Sequence, residues 1–222
     1  MRLKAGTSFD ASAILFDLDG TLVNSNSVVE RLWQRWGERW GIDIDRLLSL
    51  SHGRRTIDTL RMLAPKTCDI EAECSALTAE ELLQDEGISA VRGAIEILAS
   101  LEQCPWAIVT SAPRDLTLRR LAITHLPIPP CLICAEDVGK GKPDPAGYLA
   151  AARRLGVDPR TALVIEDAAA GLSAAHASGA KVIAVSTTLG PQALKNEDWI
   201  EDLSCLSMVY DEKPHNIQVV IR

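Results

Sequence analysis

Residues 13–25 read "AILFDLDGTLVNS". The apolar run from Ala13 to Phe16 drives straight into Asp17 and Asp19 and then into Gly20. Strand interiors disfavour aspartate. Two carboxylates this close repel each other unless a cation or a proton compensates. The stretch therefore predicts a buried strand that ends in an acidic tip, with the carboxylates either a plain loop or the point of the segment.

Beyond Ser27 the pattern becomes helical. Val29, Trp33, Trp36 and Trp40 recur on one helical face, a spacing that suits tryptophans packed in a small bundle. Gly41 ends this helix, and "RTIDTLRML" and "IEAECSALTAEELLQ" continue the helical signal on either side of Pro65. Residues 24–90 thus read as an all-helical insert. After it, short Val/Ile-rich runs ("WAIVT", "CLIC", "ALVIE", "KVIAV") alternate with helices. "DPAGYLAAARRLG" predicts a helix with Asp144 as N-cap and Pro145 at the first helical position. The expected class is α/β, a Rossmann-like parallel sheet covered on both faces. In the tail after Ser186, "IQVVI" reads as an edge strand, and the segment before Ala13 suggests no role.

Composition narrows the function classes. The 222 residues carry 47% hydrophobic and 24% charged residues, as in an ordinary globular chain. The formal net charge of −7 argues against nucleic acid or an anionic membrane as partner. No apolar run reaches the roughly 18 residues of a membrane span, and the N-terminal run is too short for a secretory signal. The expected location is cytoplasmic and the expected state a monomer. The six cysteines form no disulfide pattern; Cys131 and Cys134 make a lone C-x-x-C, read as small buried residues.

Ligands in open parallel sheets bind outside the carboxyl ends of the strands. Asp17 and Asp19, Thr110 and Ser111, and Glu166 and Asp167 follow three predicted strands, while "GKGKPDP" brings Lys140 and Lys142 alongside. Four acidic groups on one rim call for a divalent cation, and oxygen donors favour Mg²⁺. Cation, lysine and hydroxyl together complement a phosphoryl group. One carboxylate can then serve as nucleophile, and its neighbour can shuttle the proton.

"FDLDGTLVNS", "VTS", "KGKPDP" and "VIEDAAAGLSAA" resemble, in order, the motifs of the haloacid dehalogenase-like superfamily. The insert resembles its helical-cap subgroup, which implies a core of residues 1–23 and 91–222 with a cap of residues 24–90. Two stretches, "VERLWQRWGERWG" and "SHGRRTIDTLRMLAP", are similar to sugar- and polyol-phosphate phosphatases, among them the 2-deoxyglucose-6-phosphate and glycerol-phosphate phosphatases. The resemblance implies Asp17 as nucleophile, Asp19 as general acid/base, Thr110 on the phosphoryl group and Lys142 as its charge partner. It implies Mg²⁺ on Asp17, Asp19 (through its carbonyl), Glu166 and Asp167, and substrate contacts from Ser111, His52, Gly53 and Arg54. Ala168 and Ala112 depart from the residues common at their positions. The implied activity is Mg²⁺-dependent hydrolysis of small sugar or polyol phosphates through an aspartyl-phosphate. A phosphomutase of the beta-phosphoglucomutase type is the alternative. A dehalogenase fits less well, because a departing halide needs no proton from Asp19. A non-catalytic binding module would be signalled by loss of Asp17 or Lys142, and both are present.

Overall fold

The computed structural model describes residues 1–211 and 216–222. The chain begins with β1 (Ser8–Ala11) and β2 (Ala13–Phe16). The short β3 (Val23–Asn24) leads into α1 (Asn26–Trp40), α2 (Ile44–Ser51), α3 (Thr56–Leu63) and α4 (Ile70–Leu82), and β4 (Ser89–Ala90) follows. Next come α5 (Ala94–Ser100), β5 (Trp106–Val109), α6 (Arg114–Ile123), β6 (Cys131–Ile133) and α7 (Ala146–Leu155). The alternation continues with β7 (Ala162–Glu166), α8 (Ala169–Ala177) and β8 (Lys181–Val185). The tail holds β9 (Trp199–Ile200), β10 (Leu206–Asp211) and β11 (Asn216–Ile221).

The main sheet is parallel, in the order β6-β5-β2-β7-β8-β9. Its strands are continuously apolar because both faces are covered. Ile14 and Phe16 face one way, with Trp106, Ile108 and Ile165. Leu15, Ala107 and Val164 face the other way, against Tyr148 and Ala151 of α7 and Ala174 of α8. From β2 the chain works outward through β5 to β6, and α7 then brings it back to β7 on the far side of β2. That reversal makes the carboxyl end of β2 a switch point, where an open sheet forms its ligand crevice. The strand ends bearing Asp17, Thr110 and Glu166 therefore lie side by side.

The tryptophan face of α1 packs a helical bundle. Trp33, Trp36, Leu47, Leu60 and Leu77 form its buried centre, with Val29 and Trp40 partly covered. Trp33 and Trp36 meet edge to face at 5.6 Å, and the Trp36 indole donates to Glu73 at 3.1 Å. The insert is not helical throughout. Where the chain enters and leaves it, the two strands pair as an antiparallel ribbon, Val23 opposite Ala90 and Asn24 opposite Ser89.

Three expectations need correction. "IQVVI" is not an edge: β11 is the middle strand of a second, antiparallel sheet in the order β1-β11-β10. Its alternation buries Ile217, Val219 and Ile221 against the same apolar cluster that covers one face of the main sheet. The N-terminal segment supplies the flanking strand, with Ser8 opposite Val220 and Ala11 opposite Ile217. The start of α7 also shifts by one residue. Pro145 stands at the N-cap, while the Asp144 carboxylate still accepts from the Ala146 N–H at 3.0 Å.

Cys131 and Cys134 lie in apolar clusters on opposite sheet faces, and burial pushes the Cys134 thiol up to about 11. Among the described residues no helix is long and apolar enough to cross a membrane. Removing residues 1–11 should uncover β11 and the apolar surface beneath Phe9 and Ala11. A loss of about 3 kcal/mol is expected, or about 5–10 °C in Tm. An unchanged melting temperature in the truncated protein would show that β1 adds nothing.

Candidate active site

The carboxyl ends of β2, β5 and β7 carry the acidic and hydroxyl groups, and the loop before α7 brings in one lysine. Lys142 forms an ion pair with Asp17 and a second with Glu166 at 2.7 Å. Its ammonium also lies 5.2 Å from the centre of the Tyr148 ring, whose hydroxyl donates to Glu166 at 3.2 Å. The other Glu166 oxygen accepts from the backbone N–H groups of Asp167 (2.7 Å) and Ala168 (2.8 Å). Glu166 therefore anchors the lysine on one side and the start of α8 on the other. Asp167 accepts from Thr21 at 2.9 Å and from Thr188, which in turn takes a hydrogen bond from Asn26 at 2.8 Å.

Two glycines make room for these carboxylates. Gly20 has a φ of +88°, and a Cβ there would overlap the Asp167 carboxylate. A Cβ on Gly171, in the first turns of α8, would overlap that of Glu166.

One oxygen from each of Asp17, Glu166 and Asp167 lies within 4.8 Å of the others, and all three residues are buried. Burial pushes the Asp17 carboxyl up to about 7; Lys142 opposes the shift, while Glu166 and Asp19 add to it. Burial likewise raises Asp167 well above the usual carboxylate range, with Glu166 and Asp17 reinforcing it. Burial alone would lower Lys142, but the Asp17 and Glu166 charges outweigh it and hold the ammonium well above its ordinary value. Three carboxylates thus face one cation. A divalent ion on hard oxygen donors fits this residual negative charge.

The structure brings Asp17, Lys142, Glu166 and Asp167 together, as the sequence reading expects. Asp19 lies outside this carboxylate cluster and takes other partners: one oxygen meets Arg120 at 2.5 Å and the other accepts from Ser25 at 2.7 Å. Thr110 is buried, and its hydroxyl accepts from the Ala112 N–H at 3.0 Å. The Ser111 hydroxyl donates to the Gly53 carbonyl at 2.8 Å, tying the strand end to the α2–α3 loop of the insert. His52, Gly53 and Arg54 line one cleft with Asp17, Asp19, Thr110 and Ser111. Burial lowers the His52 pKa despite Glu30 nearby at 3.4 Å. Lys140 lies outside, exposed and 4.0 Å from Asp144.

Sequence reasoning misses Arg120, Tyr148, Thr21, Thr188 and Arg55. Arg55 pairs with Asp58 at 2.6 Å and donates to the Val138 carbonyl at 3.4 Å, bridging the insert to the loop before Lys142. Tyr148 leaves a signal on the buried face of α7. Arg120 sits in the basic run "RDLTLRRLAI", where only its partners distinguish it from its neighbours.

A family model described as haloacid dehalogenase-like hydrolase matches residues 11–179. The chain is 40% identical over 212 residues to hexitol phosphatase A of Escherichia coli, covering 94% of this chain and 97% of the relative. It is 33% identical to glycerol-1-phosphate phosphohydrolase 1 of Saccharomyces cerevisiae, covering 86% of this chain and 80% of the relative. The crystal structure of a hydrolase from Pseudomonas syringae superposes with a TM-score of 0.75 at 26% identity, over 87% of this chain and 94% of that one.

The charge imbalance has a measurable consequence. The Asp17 carboxyl binds its proton more tightly in the folded state (about 7) than at its ordinary value of 3.8. Without divalent cation, unfolding then releases a proton between these values, so the stability it contributes falls as pH rises through that window. Mg²⁺ should raise Tm more at pH 8 than at pH 5. At about 100 times its dissociation constant the gain is about 2.7 kcal/mol, or about 5–10 °C. In Asp167→Asn the Mg²⁺ response should largely disappear. A cation response independent of pH, or one intact in Asp167→Asn, would contradict the assignment.

Proposed function

The chain belongs to the haloacid dehalogenase-like hydrolases, and from that premise we propose that it hydrolyses small sugar or polyol phosphates with the help of Mg²⁺. The observation that carries this reading is the buried Asp17, paired with Lys142, on a cleft whose walls come from both the insert and the strand-end loops of the core. Supporting the substrate class, the two relatives described above are named for hexitol phosphate and glycerol 1-phosphate chemistry.

In this reading the Asp17 carboxylate attacks phosphorus and the bond to the ester oxygen breaks. Asp19 gives its proton to that oxygen, which leaves as an alcohol. Water then attacks the aspartyl-phosphate while Asp19 takes its proton, and inorganic phosphate departs from a restored Asp17. Lys142 balances charge on Asp17 and on the phosphoryl oxygens, and Thr110 hydrogen-bonds one of them. Asp17, Asp167 and the Asp19 carbonyl would hold Mg²⁺, with Glu166 behind them. When bound, the ion supplies positive charge against the phosphoryl oxygens.

The insert of residues 24–90 acts as a cap over the rim in this account. It limits water around the reacting phosphorus and offers side chains to the rest of the substrate. Arg54 presents a fixed cation and a fork of donors for that purpose.

Phosphate release across a panel of hexitol, glycerol and hexose phosphates tests the reading. Turnover is expected with Mg²⁺ and none with chelator. Asp17→Asn should fold normally and lose at least about a thousandfold in kcat. Phosphoryl transfer back to the sugar without release of phosphate would favour the mutase instead. Arg54→Ala should lower kcat/KM for the best polyol phosphate about tenfold more than for 4-nitrophenyl phosphate, since the polyol loses remote binding energy. Equal losses would place Arg54 on the phosphoryl group or in the fold.

A further inference from the structure

The group that meets Asp19 is unusual in its burial. Arg120 lies on α6 with its side chain only 2% exposed, yet it faces the cleft. One end of its guanidinium fork contacts Asp19 at 2.5 Å, and the other pairs with Glu81 in the last turn of α4. Its Nε–H is buried without a partner among the described residues. Burying a guanidinium this deeply is costly unless the paired carboxylates return the energy, and even then an apolar trio packs as well. Packing alone does not explain the arrangement.

Geometry offers a better account. The Ser25 hydroxyl holds one Asp19 oxygen at 2.7 Å, and Arg120 holds the other. Ser25 stands at the N-cap of α1, where the chain enters the insert, and Glu81 stands near the end of α4, where it leaves. Ser25 thus meets Asp19 directly and Glu81 reaches it through Arg120, so both ends of the insert's helical run bear on one carboxylate. Burial would lower the Arg120 pKa, but Asp19 and Glu81 outweigh it and keep the guanidinium charged.

We propose that Arg120 is a positioning residue for Asp19: its fork, oriented by Glu81, sets where the acid/base carboxylate stands relative to the leaving oxygen. This rests on the role given to Asp19 in the phosphatase reading. Arg120 itself exchanges no proton. Its removal would leave Asp19 hydrogen-bonded on one side only and free to turn from the reacting oxygen.

The consequence is a dependence on leaving group. An alkoxide needs a proton as it departs, whereas 4-nitrophenolate leaves without one, so misplacing the acid penalises poor leaving groups most. The experiment measures kcat/KM for a series of aryl phosphates of graded phenol acidity and for hydroxyl-free alkyl phosphates. Wild type, Arg120→Gln, Arg120→Lys and Glu81→Gln are compared with Mg²⁺ present. Arg120→Gln should lose about 30–100-fold on alkyl esters and only about threefold on 4-nitrophenyl phosphate, steepening the dependence on leaving group. Arg120→Lys keeps the charge without the fork and should recover part of the loss. Glu81→Gln should shift the slope in the same direction by a smaller amount.

A uniform loss across all esters would mean a structural or phosphoryl-binding role and would overturn the proposal. A loss confined to polyol phosphates, with hydroxyl-free alkyl esters unchanged, would make Arg120 a reader of substrate hydroxyls and overturn it too. Should Arg120→Gln fail to fold, the slopes of Arg120→Lys and Glu81→Gln decide; unchanged slopes in both overturn the proposal. A wild type inert towards every ester would overturn the phosphatase reading and this inference with it. An active wild type with slopes unaltered by substitution would overturn this inference alone.

Discussion

Three buried carboxylates share a single ammonium at the switch point of the sheet, and the surrounding structure answers that constraint. Charges are costly to bury unless each is paired and hydrogen-bonded. Glu166 therefore takes Lys142, Tyr148 and two backbone N–H groups, while Asp167 takes two threonine hydroxyls. Asp17 keeps only Lys142 among these partners. The residual negative charge is what a divalent cation and an electrophilic phosphorus would satisfy. The sheet beneath supplies the rigidity, because strand ends buried between two apolar layers cannot drift to relieve repulsion.

The four-helix insert meets this site in a different way. It has its own apolar centre around Trp33 and Trp36, and its links to the sheet side include several polar ones. Ser111 donates to Gly53, Arg55 reaches the Val138 carbonyl, Arg119 pairs with Asp85 at 2.6 Å, and Arg120 pairs with Glu81. The exposed Arg119–Asp85 pair exchanges with water at small cost, unlike the buried Arg120–Glu81 pair or interdigitated apolar side chains. An active site that must both admit a substrate and shelter a reacting phosphoryl group benefits from a seam of that kind.

Much of this was legible in the sequence, for identifiable reasons. Buried parallel strands read as unbroken apolar runs, and acidic residues at their ends contrast sharply with them, so Asp17, Glu166 and Asp167 stand out. The α1 tryptophans advertise their face through helical spacing. The second sheet was hidden because its pairing is remote: Ser8 lies opposite Val220, and no local pattern records that. Arg120 was hidden for a related reason. In "RDLTLRRLAI" it resembles its exposed neighbour Arg119, and only the fold reveals that Asp19 and Glu81 converge on it. Gly20 and Gly171 carried no readable role until the carboxylates they accommodate were in place.

The central claim is that Asp17, held beside Lys142, becomes covalently phosphorylated. Asp19→Asn treated with 4-nitrophenyl phosphate and Mg²⁺ isolates that step, because this leaving group needs no proton while breakdown of the intermediate lacks its base. The account predicts a burst of one equivalent of 4-nitrophenolate per enzyme and, after acid quench and digestion, a phosphoryl group on the peptide containing Asp17 that hydroxylamine removes. Turnover without a burst or adduct, or an adduct on any other residue, would contradict it.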